Sequence, residues 1–302
     1  MDTKRLIRFL KMAVFTLVIL LIALFGILPV GVAYIYIDAL VNHVCENRPE
    51  PLSDRLTHTE NLESFTFTPE AGITLDAWFA SGTNGAGIII LPGAWAGANT
   101  MYQEMDFLHE AGYSVMTYDT RSCGNPPRKT SLGYAEVTDL QAALDIMSQR
   151  VDPQRIGVFG FSMGGATGIM TAARDERIKA LVAIGNYGDL AQDVRAGANG
   201  KDDPLEWWTR GWVERFFERE TGIDIENARP VNVINRISPR AVFLIHGSEE
   251  IHRSHGMEQF EAAGEPRDLW IVPGAGHGEY TAFAYDEYVT RTTAFFDRYL
   301  SE

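Results

Sequence analysis

Cysteine is nearly absent from this chain: Cys45 and Cys123 are the only two among 302 residues. Two cysteines cannot form the disulfide framework of a small secreted domain, and leave at most one bridge. An exported location would allow that bridge, although nothing in the spacing of the pair asks for it. The seven histidines do not cluster with the cysteines at ligand spacing, so no metal site is expected. Basic residues are also scarce, with 26 Lys and Arg against 40 Asp and Glu and a net charge of −14. Residues 1–11 hold four basic groups and one acid, +3, so the remainder carries −17. So acidic an exterior argues against a nucleic-acid partner and against electrostatic adhesion to anionic headgroups. Internal repeats and low-complexity tracts are missing too, which excludes a repeat architecture.

What the chain does have begins with Met12–Ile37, 26 uncharged and mostly apolar residues. At about 1.5 Å per residue this run reaches roughly 39 Å, enough to cross a hydrocarbon core of about 30 Å. Lys4, Arg5, Arg8 and Lys11 precede it, and Asp38 and Glu46 follow. The positive-inside rule then expects a single-pass cell-membrane protein with a cytoplasmic N-terminus (1–11) and an extracytoplasmic domain. A cleaved signal peptide fits less well, because its apolar region spans about 7–15 residues and ends at a small-residue site. No such site precedes Asp38, and Asn42-His-Val-Cys45 lacks the small residue expected before a lipoprotein cysteine. Residues 38–61, with Arg48-Pro-Glu-Pro-Leu, read as a linker.

From residue 62 onward the pattern is that of one domain. Ser64–Phe67 and Ile73–Phe79 alternate apolar and polar residues around a turn at Pro69–Gly72, which predicts an antiparallel hairpin. Short apolar runs then alternate with helical segments. The runs are 87–91, 113–118, 156–159, 178–184, 241–245 and 269–272; helices are predicted near 100–111, 134–150, after Ser162, and 285–300. This is the signature of a mostly parallel sheet covered on both faces. One segment, 186–238, holds no strong strand and is expected to be a helical cap insertion. Within it Trp208, Trp212 and Phe216 fall at i, i+4, i+8, on one helical face. That face is expected to pack down as core and, compatibly with that, to line an apolar substrate pocket together with Trp95.

The chemistry is concentrated in Arg155-Ile-Gly-Val-Phe-Gly-Phe-Ser-Met-Gly-Gly165. An apolar strand runs directly into Gly-x-Ser-x-Gly, and a small-residue helix follows. This is the sequence form of a nucleophile elbow, with Ser162 held on a tight strand-to-helix turn. Gly160 and Gly164 lack the β-carbons that would clash there. The amide of Met163 then faces a developing oxyanion at a helix N-terminus. A serine so placed still needs a base to take its proton. His277, in the glycine-rich loop Pro273-Gly-Ala-Gly-His-Gly278 after the last strand, is the best placed of the histidines. The orienting acid should follow the strand 241–245, where Glu250 is the first choice and Glu249 the alternative. The turn Pro92-Gly-Ala-Trp-Ala-Gly97 supplies the amide of Ala94 as the second oxyanion donor.

Together these motifs resemble the α/β-hydrolase superfamily, in particular its bacterial serine-hydrolase branch related to prolyl-oligopeptidase-like and Bem46-like proteins. The likeness covers about residues 62–302. It implies an α/β-hydrolase fold and a Ser-His-acid triad made by Ser162, His277 and Glu250. Three departures stand out. Pro92-Gly93 replaces the usual His-Gly, Asp119-Thr-Arg-Ser-Cys-Gly124 stands for Asp-x-Arg-Gly-His-Gly, and His246-Gly-Ser-Glu-Glu250 puts glutamate where aspartate is usual. The expected activity is cleavage of an ester, thioester or amide through an acyl-enzyme, without a cofactor. Carboxylesterase is the default. A peptidase, an acyltransferase or a non-catalytic hydrolase-fold binding protein remain alternatives, since fold alone does not choose among them. The substrate expected is a small acyl compound, with an apolar one among the options.

Overall fold

The computed structural model describes residues 3–45, 51–70, 72–196, 206–250 and 253–301, and leaves out the side chains of 196, 206–208, 210 and 253. The elements run in chain order as follows. Helix α1 (Thr3–Ile22) continues through a π-turn (Ala23–Ile27) into α2 (Leu28–Val41), and a short α3 (Leu52–Arg55) follows. Then come β1 (Glu63–Phe67), β2 (Leu75–Ala80), β3 (Gly87–Leu91), α4 (Tyr102–Glu110), β4 (Ser114–Tyr118), α5 (Glu136–Met147), β5 (Ile156–Phe161) and α6 (Met163–Ala172). The remainder is β6 (Ile178–Ile184), α7 (Leu190–Ala196), α8 (Glu206–Thr221), β7 (Ala241–Gly247), α9 (Arg253–Ala262), β8 (Arg267–Val272) and α10 (Tyr280–Leu300).

The strands form one eight-stranded sheet in the order β1-β2-β4-β3-β5-β6-β7-β8. β1 and β2 pair antiparallel, as does β2 with β4, and every other pairing is parallel. This is the α/β-hydrolase fold. The central strands are apolar throughout because both faces of the sheet are covered. On one face Ile88, Ile90, Phe159, Val182 and Phe243 pack against helices α4 and α10 through residues such as Leu108, Tyr288 and Phe296. On the other, Ile89, Leu91, Val158, Leu181 and Leu244 meet Leu140 and Leu144 of α5 and Ile169 of α6. Successive residues of a strand thus serve two different cores, each large side chain contributing about 1.5–3 kcal/mol on burial.

The segment 186–238 is helical where described, holding α7, α8 and three short 3-10 turns. Residues 197–205 lie outside the described residues. A third apolar cluster joins this insertion to α2: Ala33, Ile37 and Val41 are buried with Leu190, Val213 and Phe217. The linker is fastened rather than free over the described part. Cys45 is disulfide-bonded to Cys123, Leu52 is buried, and the backbone N–H groups of Thr57, His58 and Thr59 donate to the Asp106 carboxylate. Thr3–Val41 is long and apolar enough, by length and composition, to cross a membrane.

Candidate active site

Ser162 sits between β5 and α6 with φ 53° and ψ −117°, a left-handed conformation costly for a residue with a β-carbon. The surroundings hold it there. Its N–H donates to the Ile184 carbonyl at 2.7 Å, and its own carbonyl accepts the Ala166 N–H at 3.2 Å. A Cβ on Gly160 would stand 2.4 Å from the Gly164 carbonyl oxygen, and one on Gly164 would stand 2.6 Å from that of Leu91. Only glycine lets the turn close this tightly against β3.

His277 follows β8 and brings Nε2 to 3.2 Å from Ser162 Oγ, while its Nδ1 lies 2.6 Å from Glu250 Oε1. Of the two glutamates after β7, Glu250 is the one that meets the imidazole. Glu249 is exposed, and its N–H is tied to the Ala275 carbonyl. Glu250 also accepts hydrogen bonds on Oε2 from the Gly247 N–H at 2.9 Å and the Tyr280 hydroxyl at 2.8 Å. Burial by itself would raise the pKa of Glu250. The hydrogen bond to His277, the nearby His246 and the Gly247 amide outweigh it and hold the carboxyl below its ordinary value of 4.5. Tyr280 is pushed the other way, its pKa raised by burial and by the Glu250 carboxylate, so it remains a hydrogen-bond donor.

Three residues here escaped sequence reasoning. Tyr280 belongs to the first turn of α10, which begins five residues before the expected Tyr285. Phe161 lies against His277 with ring centroids 4.9 Å apart. Gly185 has φ +59°, and a Cβ there would fall 2.3 Å from Tyr280 Oη, 2.8 Å from Glu250 Oε1 and 3.1 Å from His277 Cε1. Its positive-φ turn follows β6 by one residue, but the close approach comes from three other segments and leaves no local signal.

The turn carrying Ala94 lies beside the serine: a Cβ on Gly93 would be 3.5 Å from that of Ser162. Met163 opens α6, with its side chain buried. The loop 119–124 braces this turn. Asp119 accepts the Ala98 N–H at 2.9 Å and the Thr120 hydroxyl donates to the Ala96 carbonyl at 3.0 Å. The loop is in turn secured by a buried, two-point pairing of Arg121 with Asp139. Trp95 is half-buried and donates its indole N–H to the Leu40 carbonyl at 2.8 Å. Phe216 packs on the same apolar cluster as Ala94 and Trp95. Trp212 lies on the exposed side of α8, stacked on Phe216. The side chain of Trp208 lies outside the described residues.

A strained serine, an imidazole within reach of its hydroxyl and a buried carboxylate on the far ring nitrogen define a class: α/β-hydrolase folds with a nucleophile elbow. The comparisons agree on the fold. A family model described as alpha/beta hydrolase fold matches residues 88–229. The chain is 25% identical to the uncharacterized protein PA2218 of Pseudomonas aeruginosa, over 83% of each chain. The crystal structure of that protein superimposes with a TM-score of 0.66, covering 84% of this chain and 99% of the other. The uncharacterized protein YfhR of Escherichia coli is 26% identical over 72% of this chain and 74% of its own. Among solved structures, the esterase Pf2001 of Pyrococcus furiosus matches with a TM-score of 0.67 at 23% identity, covering 87% of this chain and 98% of the esterase.

Proposed function

We propose that this protein is a serine hydrolase of the prolyl-oligopeptidase-like and Bem46-like branch, a carboxylesterase held at the cell membrane by its N-terminal helix. The observation that carries the reading is the continuous line of contacts from Ser162 Oγ through His277 to Glu250. In the reaction the hydroxyl attacks an ester carbonyl as His277 Nε2 accepts its proton. Glu250 keeps the proton on Nδ1 and stabilises the imidazolium that forms. The amides of Ala94 and Met163 receive the oxyanion, each donor supporting about 2.7–4 kcal/mol of barrier lowering. The imidazolium then protonates the leaving alcohol, and water repeats the sequence on the acyl-enzyme.

The esterase Pf2001 is among the proteins of similar fold; peptidase and acyltransferase chemistry would use the same residues. The extracytoplasmic placement is supported by the basic residues before the apolar run Met12–Ile37 and by the Cys45–Cys123 bridge, a bond that persists in oxidising compartments. The test is turnover of p-nitrophenyl acetate by the full chain. Ser162→Ala and His277→Ala should lower kcat by a factor on the order of 10⁴ or more. Undiminished turnover in Ser162→Ala would refute the assignment.

A further inference from the structure

The apolar N-terminal helix has two halves with different surroundings. Nothing in α1 is buried. In α2, by contrast, Pro29, Ala33, Ile37 and Val41 recur every fourth residue and are buried along one face. That face shares an apolar cluster with Val213 and Phe217 of α8 and with Ala94 and Trp95 of the turn beside Ser162. Polar contacts fix the end of α2 to the same place. Trp95 donates to the Leu40 carbonyl at 2.8 Å, the Thr130 N–H donates to that of Val41 and the Cys45 N–H to that of Ser122, and the bridge to Cys123 closes the joint. A helix used only as a tether needs none of this.

The outer side of the same two helices has the composition of a membrane surface. Leu28, Val32 and Ile35 of α2 are exposed and continue the apolar surface of α1. Beside them Tyr34, 44% exposed, stands edge-on to Phe216, which stacks on Trp212, 38% exposed. Arg215 lies 5.4 Å above the Trp212 ring. Exposed Trp and Tyr with an arginine whose guanidinium lies over the ring are what a helix offers to the headgroup layer.

We propose that the outer face of α2 and α8 seats on the membrane leaflet, and that the substrate is a long-chain acyl ester resident in the bilayer. The occupant of the outer apolar surface is the membrane leaflet that α1 enters. The inner face of α2 packs with Ala94 and Trp95 of the turn beside Ser162, so the turn is held next to that leaflet and to an ester lying in it. This rests on the esterase reading given above, and the experiment separates the two.

Full-length protein is reconstituted in phosphatidylcholine vesicles, with flotation showing that every variant stays bound. Hydrolysis of p-nitrophenyl palmitate dissolved in the bilayer is compared with that of water-soluble p-nitrophenyl acetate. Val32→Lys and Ile35→Lys should slow palmitate hydrolysis tenfold or more and leave acetate hydrolysis unchanged. An unchanged ratio in both variants, or a wild type that turns over acetate but not palmitate, would overturn the proposal. Brominated phosphatidylcholine gives a second readout that needs no turnover. It should quench the fluorescence that is lost in Trp212→Phe, and absence of that quenching would overturn the seating of α8. A protein that seats on lipid yet hydrolyses neither ester would remove the esterase reading and leave the membrane contact standing.

Discussion

Glu250 is buried and met by three donors, from His277, Gly247 and Tyr280, so its charge is already stabilised before substrate arrives. Glu250→Gln should therefore lower kcat by about 10³–10⁴ through loss of the imidazole's orientation and charge partner, and Glu249→Gln should leave it near wild type. Steady-state kinetics on one ester decide between them. The same carboxylate sets a pH dependence. Its folded pKa lies below the ordinary 4.5, so its contribution to stability is fully present above about 4.5 and is lost as pH falls through the lowered value. In urea unfolding, the stability gap between wild type and Glu250→Gln should accordingly be larger at pH 7 than at pH 3.5. Gly185→Ala would put a methyl within 2.8 Å of Glu250 Oε1 in a positive-φ backbone. It should cost about 1–3 kcal/mol in stability and displace the acid, read as a lowered kcat in protein that still folds. Ser162 was legible from sequence because its elbow is local: strand, glycines and helix lie within eleven residues. The choice between Glu249 and Glu250 was open there because both follow β7, and a shift of one residue decides which points inward.

At the scale of elements, the sheet strands were readable because two-sided burial writes an unbroken apolar run into each one, and 178–184 appears as predicted. The start of α10 was not. Its first turn is separated from the rest by a kink at Ala284 (φ −151°, ψ 48°), which breaks the periodicity that Tyr280 would have joined. The bridge between Cys45 and Cys123 spans 78 residues and depends on contacts no spacing encodes. Replacing both by serine should lower stability by about 2–4 kcal/mol in denaturant titration. Acetate hydrolysis should survive, since neither sulfur lies in the Ser162–His277–Glu250 line. Trp212 and Phe216 do share a side of α8, as the spacing predicts, with Phe216 packed on the apolar cluster and Trp212 stacked on it from the exposed side. Periodicity locates a face and says nothing about what covers it.

Across the whole molecule, the sheet delivers the three side chains from the carboxyl ends of β5, β7 and β8, strands spread between residues 156 and 272 and set side by side, through β6, by parallel pairing. The apolar helix packs on this body through α2, whose buried face shares a cluster with Ala94 and Trp95 of the turn beside Ser162. The most direct measurement is reaction of the full-length protein with a fluorophosphonate, followed by peptide mass spectrometry. A single phosphonyl adduct on the peptide containing Ser162, absent in Ser162→Ala and much slower to form in His277→Ala, is the expected result. Folded wild-type protein that takes up no label, or labels equally in Ser162→Ala, would contradict the serine-hydrolase assignment.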